Sequence, residues 1–198
     1  MRAAAIGSVF IGSLLVTGSV ARGEDASKVR VGVTLVPTPI GLLEVREPGT
    51  AEEGVRSGFA FGVMPVVDFA LHRNVFVGLA PSYTFHVRAV GADPDVQPGN
   101  ELDILLRLGG GANVVDRLYL YGYLAPGYSF TRDLPNNTHS RGPVLGFHAG
   151  GMFDATARFF VNAELGYQKG FQKTSVDGID IDYNTNFIQV GLGTGVRL

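Results

Sequence analysis

SGFAFGVMPVVDFAL, residues 57–71, is followed after His72, Arg73 and Asn74 by VFVGLAPSYTF, residues 75–85. In the first run Phe59, Phe61, Val63, Pro65, Val67, Phe69 and Leu71 share one face. Gly58, Ala60, Gly62, Met64, Val66, Asp68 and Ala70 take the other. In the second run Val75, Val77, Leu79, Pro81, Tyr83 and Phe85 oppose Phe76, Gly78, Ala80, Ser82, Thr84 and His86. A period of two is the mark of a β-strand with unlike faces. Two such runs around a tight turn predict an antiparallel hairpin.

The same alternation runs outward in both directions. It appears in KVRVGVTLV (28–36), ELDILLRLGGGA (101–112), LYLYGYLAPGYSF (118–130), PVLGFHAGGMF (143–153), FFVNAELGYQ (159–168) and NFIQVGLGTGVRL (186–198). That makes eight strands. Short turns fall at 72–74, 113–117 and 154–158. Long connections run from Pro37 to near Glu53 and over 91–100, 131–140 and 169–182. One end of the sheet therefore carries tight turns and the other carries long polar loops. LAPSYTF at 79–85 recurs as LAPGYSF at 124–130; both copies rise from a tight turn, which reads as a hairpin-level repeat.

The two faces decide the environment. One row is aliphatic or aromatic at nearly every position. The other is mostly Gly, Ala, Ser, Thr and Asn, with tyrosine and charge. A soluble barrel needs its apolar row inside, and the small polar row cannot form a hydrophobic core. It can fill the narrow interior of an eight-stranded barrel, and the apolar row then faces lipid. In lipid every backbone group must be paired, so the sheet must close. The expected fold is all-β: an eight-stranded antiparallel up-and-down transmembrane β-barrel. Phe59, Phe61, Tyr83, Phe85, Tyr128, Phe130 and Tyr167 form one aromatic belt near the long loops, and Phe69, Phe153 and Phe159 form another near the short turns. Pro65, Pro81, Pro126 and Pro143 interrupt the strands, where bulges or near-end positions are expected. The runner-up fold, a secreted lipocalin-like barrel, requires the Phe59, Val63 and Val67 row to point inward.

Composition agrees. Of 198 residues, 45% are apolar and only 17% charged, too few charges for an ordinary soluble surface. The 28 glycines have no three-residue period, which excludes collagen. Sixteen basic against 18 acidic residues leave no basic footprint for nucleic acid. With no cysteine, disulfides, thiolate metal sites and cysteine nucleophiles are excluded. At the N-terminus, Arg2, an apolar stretch around Ile6–Val16 and the small residues Ser19 and Ala21 read as a signal peptide over residues 1–21. The barrel domain is then 22–198.

Together these features resemble the small outer-membrane β-barrels of Gram-negative bacteria, the OmpA/OmpW-like, porin-family group. The last strand is similar to the assembly signal of that group, with Gly193, Val196 and a terminal Leu198 where phenylalanine is usual. The resemblance implies location in the cell outer membrane. It implies contact with outer-membrane lipid and lipopolysaccharide, handling by the barrel assembly machinery, and long loops free to meet an extracellular ligand.

Strand parity places Arg30, Asp68, Asp103, Arg107 and Glu164 inside. It also sets Tyr119, Tyr121 and Tyr123 as an inward ladder able to fill space and bond to those charges. Charges in a narrow interior need partners or water, so this polar cluster is expected to plug the lumen. The expected function is a structural or surface-interaction barrel. A narrow channel for small solutes is the alternative. A lipid-modifying enzyme is a weaker one, because the adjacent pair His139 and Ser140 has no orienting carboxylate. His86 and His148 face inward on different strands without ligand spacing, and Asp93 and Asp95 make a poor cation site. No catalytic residue, metal or cofactor is expected.

Overall fold

The computed structural model describes residues 28–46, 53–57, 59–86, 99–132, 139–176 and 178–198. The expected leader at 1–21 and the Asp93–Asp95 pair lie outside them. Among these residues ten strands are present: β1 (Val29–Thr38), β2 (Ile40–Arg46), β3 (Glu53–Ser57), β4 (Ala60–His72), β5 (Val75–His86), β6 (Asn100–Val115), β7 (Leu118–Arg132), β8 (His139–Asp154), β9 (Phe159–Val176) and β10 (Ile179–Arg197). All pairings are antiparallel. Eight strands form a ring in the order β1, β4, β5, β6, β7, β8, β9, β10, closed by β1 on β10. Closure removes the sheet edges that lipid cannot satisfy. At the seam, the backbone N–H of Leu198 donates to the carbonyl of Val29 at 3.0 Å.

In two of the expected long connections the described residues are mostly strand. β1 and β2 pair with β4 and β3 in one unbroken register, from Val29 opposite Phe69, through Thr38 opposite Ala60 and Gly41 opposite Ser57, to Val45 opposite Glu53. Pro39 interrupts the hydrogen-bond ladder there without turning the chain. The second case is 169–182. β9 runs to Val176 and β10 starts at Ile179, with Gly178 at φ 80° in the turn, a left-handed conformation that favours glycine. Lys169, Gln172, Lys173, Asp180, Asp182 and Asn184 put polar groups on both faces, so no apolar alternation marks the strand. β2 also pairs with β10, from Ile40 opposite Ile188 to Arg46 opposite Asp182. β9, β10, β2 and β3 thus continue as a four-stranded extension beyond the closed ring.

The strand prolines are gaps, not bulges. The β4–β5 register is the same on both sides of Pro65 and Pro81, and the β6–β7 register the same on both sides of Pro126. Each proline removes one donor while the side chains keep alternating. Pro143 stands five places into β8, near its end. The register shifts lie elsewhere, at Ala70/His72 and Asn113/Val115, beside short turns.

The row expected to face lipid points outward. Leu106 is 42% exposed and Leu165 60%, while Asp68, Arg107 and Glu164 are 4%, 5% and 6%. All ten belt aromatics are exposed on the outer wall. The two LAP repeats end in matching outward ring pairs, Tyr83 with Phe85 at 4.7 Å and Tyr128 with Phe130 at 5.1 Å between centroids.

Candidate functional site: the charged lumen

The interior is built by one rule, alternation, applied to eight strands. It brings residues far apart in sequence to one level. Asp68 on β4, Arg107 on β6 and Arg30 on β1 meet in the half nearer the short turns. Arg107 Nη1 donates to both Asp68 Oδ1 and Oδ2 at 3.1 Å. Arg30 Nη2 stands 3.7 Å from Asp68 Oδ2. Phe76 lies between the two guanidinium groups: Arg30 is 4.8 Å and Arg107 5.6 Å from its ring centroid. Arg107 is also 4.1 Å from the Tyr123 ring and Arg30 5.6 Å from that of Tyr119. Cations over ring faces are attracted by the ring quadrupole, more so when desolvated.

Glu164 on β9 is the anion of the opposite wall. Tyr121 Oη donates to its Oε2 at 2.9 Å, and Tyr123 Oη donates to its Oε1 at 2.8 Å. Tyr119, Tyr121 and Tyr123 stack at 6.3 and 6.2 Å, and the His148 ring lies parallel to Tyr123 at 4.6 Å. His148 Nδ1 is 3.9 Å from Glu164 Oε1. The His148 ring fits because position 166, beside it on β9, is glycine: a Cβ there would collide with the imidazole.

Asp103 sits apart from these groups, toward the long-loop end. Its Oδ2 accepts from Gln168 Nε2 at 2.8 Å. Glu101, two residues earlier on the same inward row, accepts from Ser129 Oγ at 2.8 Å and from Gln172 Nε2 at 3.3 Å. Ser140 Oγ donates to Gln172 Oε1 at 2.7 Å. The eight residues singled out by parity are therefore all inward, but in two groups. Seven form the lower ionic and aromatic cluster, and Asp103 belongs to an upper network of amides and hydroxyls.

Glu101, Gln172 and Phe76 were missed as site residues. Parity marks Glu101 and Phe76 as inward, whereas Gln172 falls in the 169–182 stretch expected to be a loop; Gln172 and Glu101 lie 71 residues apart, and pairing across a lumen leaves no local signal. His139 and Ser140 are on a strand, not a loop tip, and on opposite faces: His139 is exposed and Ser140 buried. They cannot act as a nucleophile and base on each other. Among the described residues no three His, Asp or Glu gather as metal ligands.

Between the arginine-bearing wall and the tyrosine wall lies a void of about 20 Å³, lined by Arg30, Asp68, Phe76, Arg107, Tyr121 and Asn162 among others, space for about one water.

No protein-family model matches the chain. No curated protein matches it in sequence. Solved structures do match. The crystal structure of Neisserial surface protein A superposes with a TM-score of 0.57 at 10% identity, covering 87% of this chain and 98% of that one. The N-terminal β-barrel domain of Pseudomonas aeruginosa OprF gives 0.45 at 15% identity, covering 83% and 96%. Ail, the attachment invasion locus protein of Yersinia pestis, gives 0.38 at 14% identity, covering 84% and 99%. The fold is that of the small outer-membrane β-barrels, and the exposed apolar wall is one that lipid covers.

Proposed function

We propose that this is an outer-membrane barrel whose lumen is closed by its own side chains, and whose role is structural and outward-facing rather than conductive or enzymatic. The observation that carries the reading is the Asp68–Arg107–Arg30 group facing the Glu164–Tyr121–Tyr123 group, with a void of about 20 Å³ at that level. Each buried charge there has an opposite charge or a hydrogen-bond donor, so none needs a continuous water column. A hydrated ion crossing this level would have to part Arg107 from Asp68, and separating a buried pair costs about 3–5 kcal/mol. The part offered to the outside is the β9–β10–β2–β3 extension together with the remaining long loops. An extracellular ligand, if bound, is expected there. The β1–β10 seam and the outward wall fit the expected dealings with the assembly machinery and with lipid.

Planar-bilayer recording of the refolded protein tests the reading. It predicts silence for the wild type and for Tyr119→Phe, which leaves the ion pair intact. Discrete steps in the wild type that change on Arg107→Ala would establish the channel alternative instead.

A further inference from the structure

The outer wall is not uniform around the barrel. Among the described side chains, the outward Lys and Arg at the long-loop end are Arg132, Arg141, Lys169 and Lys173, all on β7, β8 and β9. The outward rows of β4, β5 and β6 at that end are apolar or aromatic apart from Asn100. Arg141 and Lys173 stand directly opposite each other across β8 and β9. Like charges in that relation repel. Lys173 does approach Asp182, at 3.6 Å, but both side chains are open to solvent, and an exposed pair of this kind is worth little. No carboxylate among the described residues stands against Arg141 or Lys169. Lys169 instead lays its Nζ 5.4 Å from the Phe171 ring.

The height of these cations matters. A strand tilted at about 45° crosses a ~25 Å apolar band in about ten residues. Counted from the lower-belt residues Phe159 and Phe153, that distance reaches Lys169 on β9 and Pro143 on β8. Arg141 lies just beyond. The cluster is therefore at the border between hydrocarbon and headgroups, in the leaflet on the long-loop side.

Directly beneath it, on the same strands, the wall is grooved. An open cleft of about 620 Å³ is bounded by Leu124, Phe147, Leu165, Tyr167 and Ile188, with Ala149 and Gly122 on its floor. Ala149 and Gly122 face each other across β7 and β8, and a Cβ added at Gly122 would meet only the His148 carbonyl, at 3.5 Å. This is a ligand-sized apolar cleft, and at its upper lip stand Arg141 and Lys169, which face no described carboxylate, and Lys173 with its exposed contact to Asp182.

We propose that this wall holds a phosphate-bearing lipid of the surrounding leaflet, its phosphate against Arg141, Lys169 and Lys173 and an acyl chain along the groove below. Guanidinium and ammonium groups both bind phosphate, the former with two parallel hydrogen bonds. The proposal uses only the orientation of the wall. It stands or falls independently of whether the lumen conducts.

The chain has no tryptophan, so Phe147→Trp places a single reporter in the groove and Leu79→Trp a control on the far wall. Each protein is reconstituted in mixtures of phosphatidylcholine with brominated phosphatidic acid or brominated phosphatidylcholine, and the quenching gives relative lipid affinity. With about 1 kcal/mol per cation near a membrane surface, the phosphatidic acid is expected to be preferred at least about fivefold at the Phe147→Trp reporter. It is expected to show no preference at the Leu79→Trp reporter. Arg141→Gln, Lys169→Gln and Lys173→Gln together should abolish the preference, and each alone should reduce it, with heat-modifiable migration confirming a folded barrel. Ala149→Phe, which fills the groove and leaves the charge, should also reduce it. Equal affinities at the two reporters, or a preference that survives the three-site charge variant, would overturn the proposal. Competition by inorganic phosphate as strong as that of the lipid would overturn it too, since the site would then be one for a free anion.

Discussion

Arg107 donates from one guanidinium nitrogen to both oxygens of Asp68 at 3.1 Å while its carbon lies 4.1 Å from the Tyr123 ring centroid. Removing it leaves Asp68, which is 4% exposed, with only the longer Arg30 contact at 3.7 Å and no hydrogen bond from Arg107. Arg107→Ala should therefore lower the unfolding free energy in urea by about 3–5 kcal/mol. The double variant Asp68→Leu/Arg107→Met should recover part of that loss, because it removes the hydrogen-bonded pair together while Arg30 keeps its contacts with the Phe76 and Tyr119 rings. A double variant no more stable than Arg107→Ala alone would show that the pair is not the unit. At this scale the sequence was legible in direction and silent on partnership. Alternation alone told that Arg107, Asp68 and Glu164 face inward. It could not tell that Asp68 takes Arg107 while Glu164 takes two tyrosines, because that choice depends on which strands stand across the lumen and at what stagger.

The strands carry the same logic at larger size. β9 shows both halves of it. Up to Gln168 its outward row is Phe159, Val161, Ala163, Leu165 and Tyr167, and the period of two is plain. Beyond it, Lys169, Gln172 and Lys173 make both faces polar, and the strand continues unannounced to Val176. Its hydrogen bonds to β10 hold it there, a cause that lies in a neighbour and not in its own residues. The same holds for β2 and β3 beyond Pro39. Two tests belong here. Leu165→Arg, near mid-wall, should cost about 2–4 kcal/mol in bilayers, as expected for a cation facing lipid; a neutral result would mean that the wall is wet. Replacing residues 42–56 by a two-residue turn should leave a heat-modifiable barrel, since the eight-strand ring does not need β2 or β3. Loss of the folded band would make the extension part of the core.

The molecule as a whole is one closed sheet with an apolar outside and a polar inside. That inversion of the soluble arrangement is stable only where lipid covers the wall and the lumen charges meet opposite charges or hydrogen-bond donors. Eight alternating runs, with short and long connections in turn, were enough to read the ring. The four-stranded extension and the split of the lumen into two groups required coordinates. Because the chain has no cysteine, single cysteines can be placed one at a time from Val161 to Tyr167 without background, leaving out Gly166, where a side chain would collide with His148. Each is spin-labelled in a reconstituted bilayer and its collision rate with dissolved oxygen measured. High rates are expected at 161, 163, 165 and 167 and low rates at 162 and 164. A reversed pattern, or one without a period of two, would put the hydrocarbon on the wrong side of the sheet.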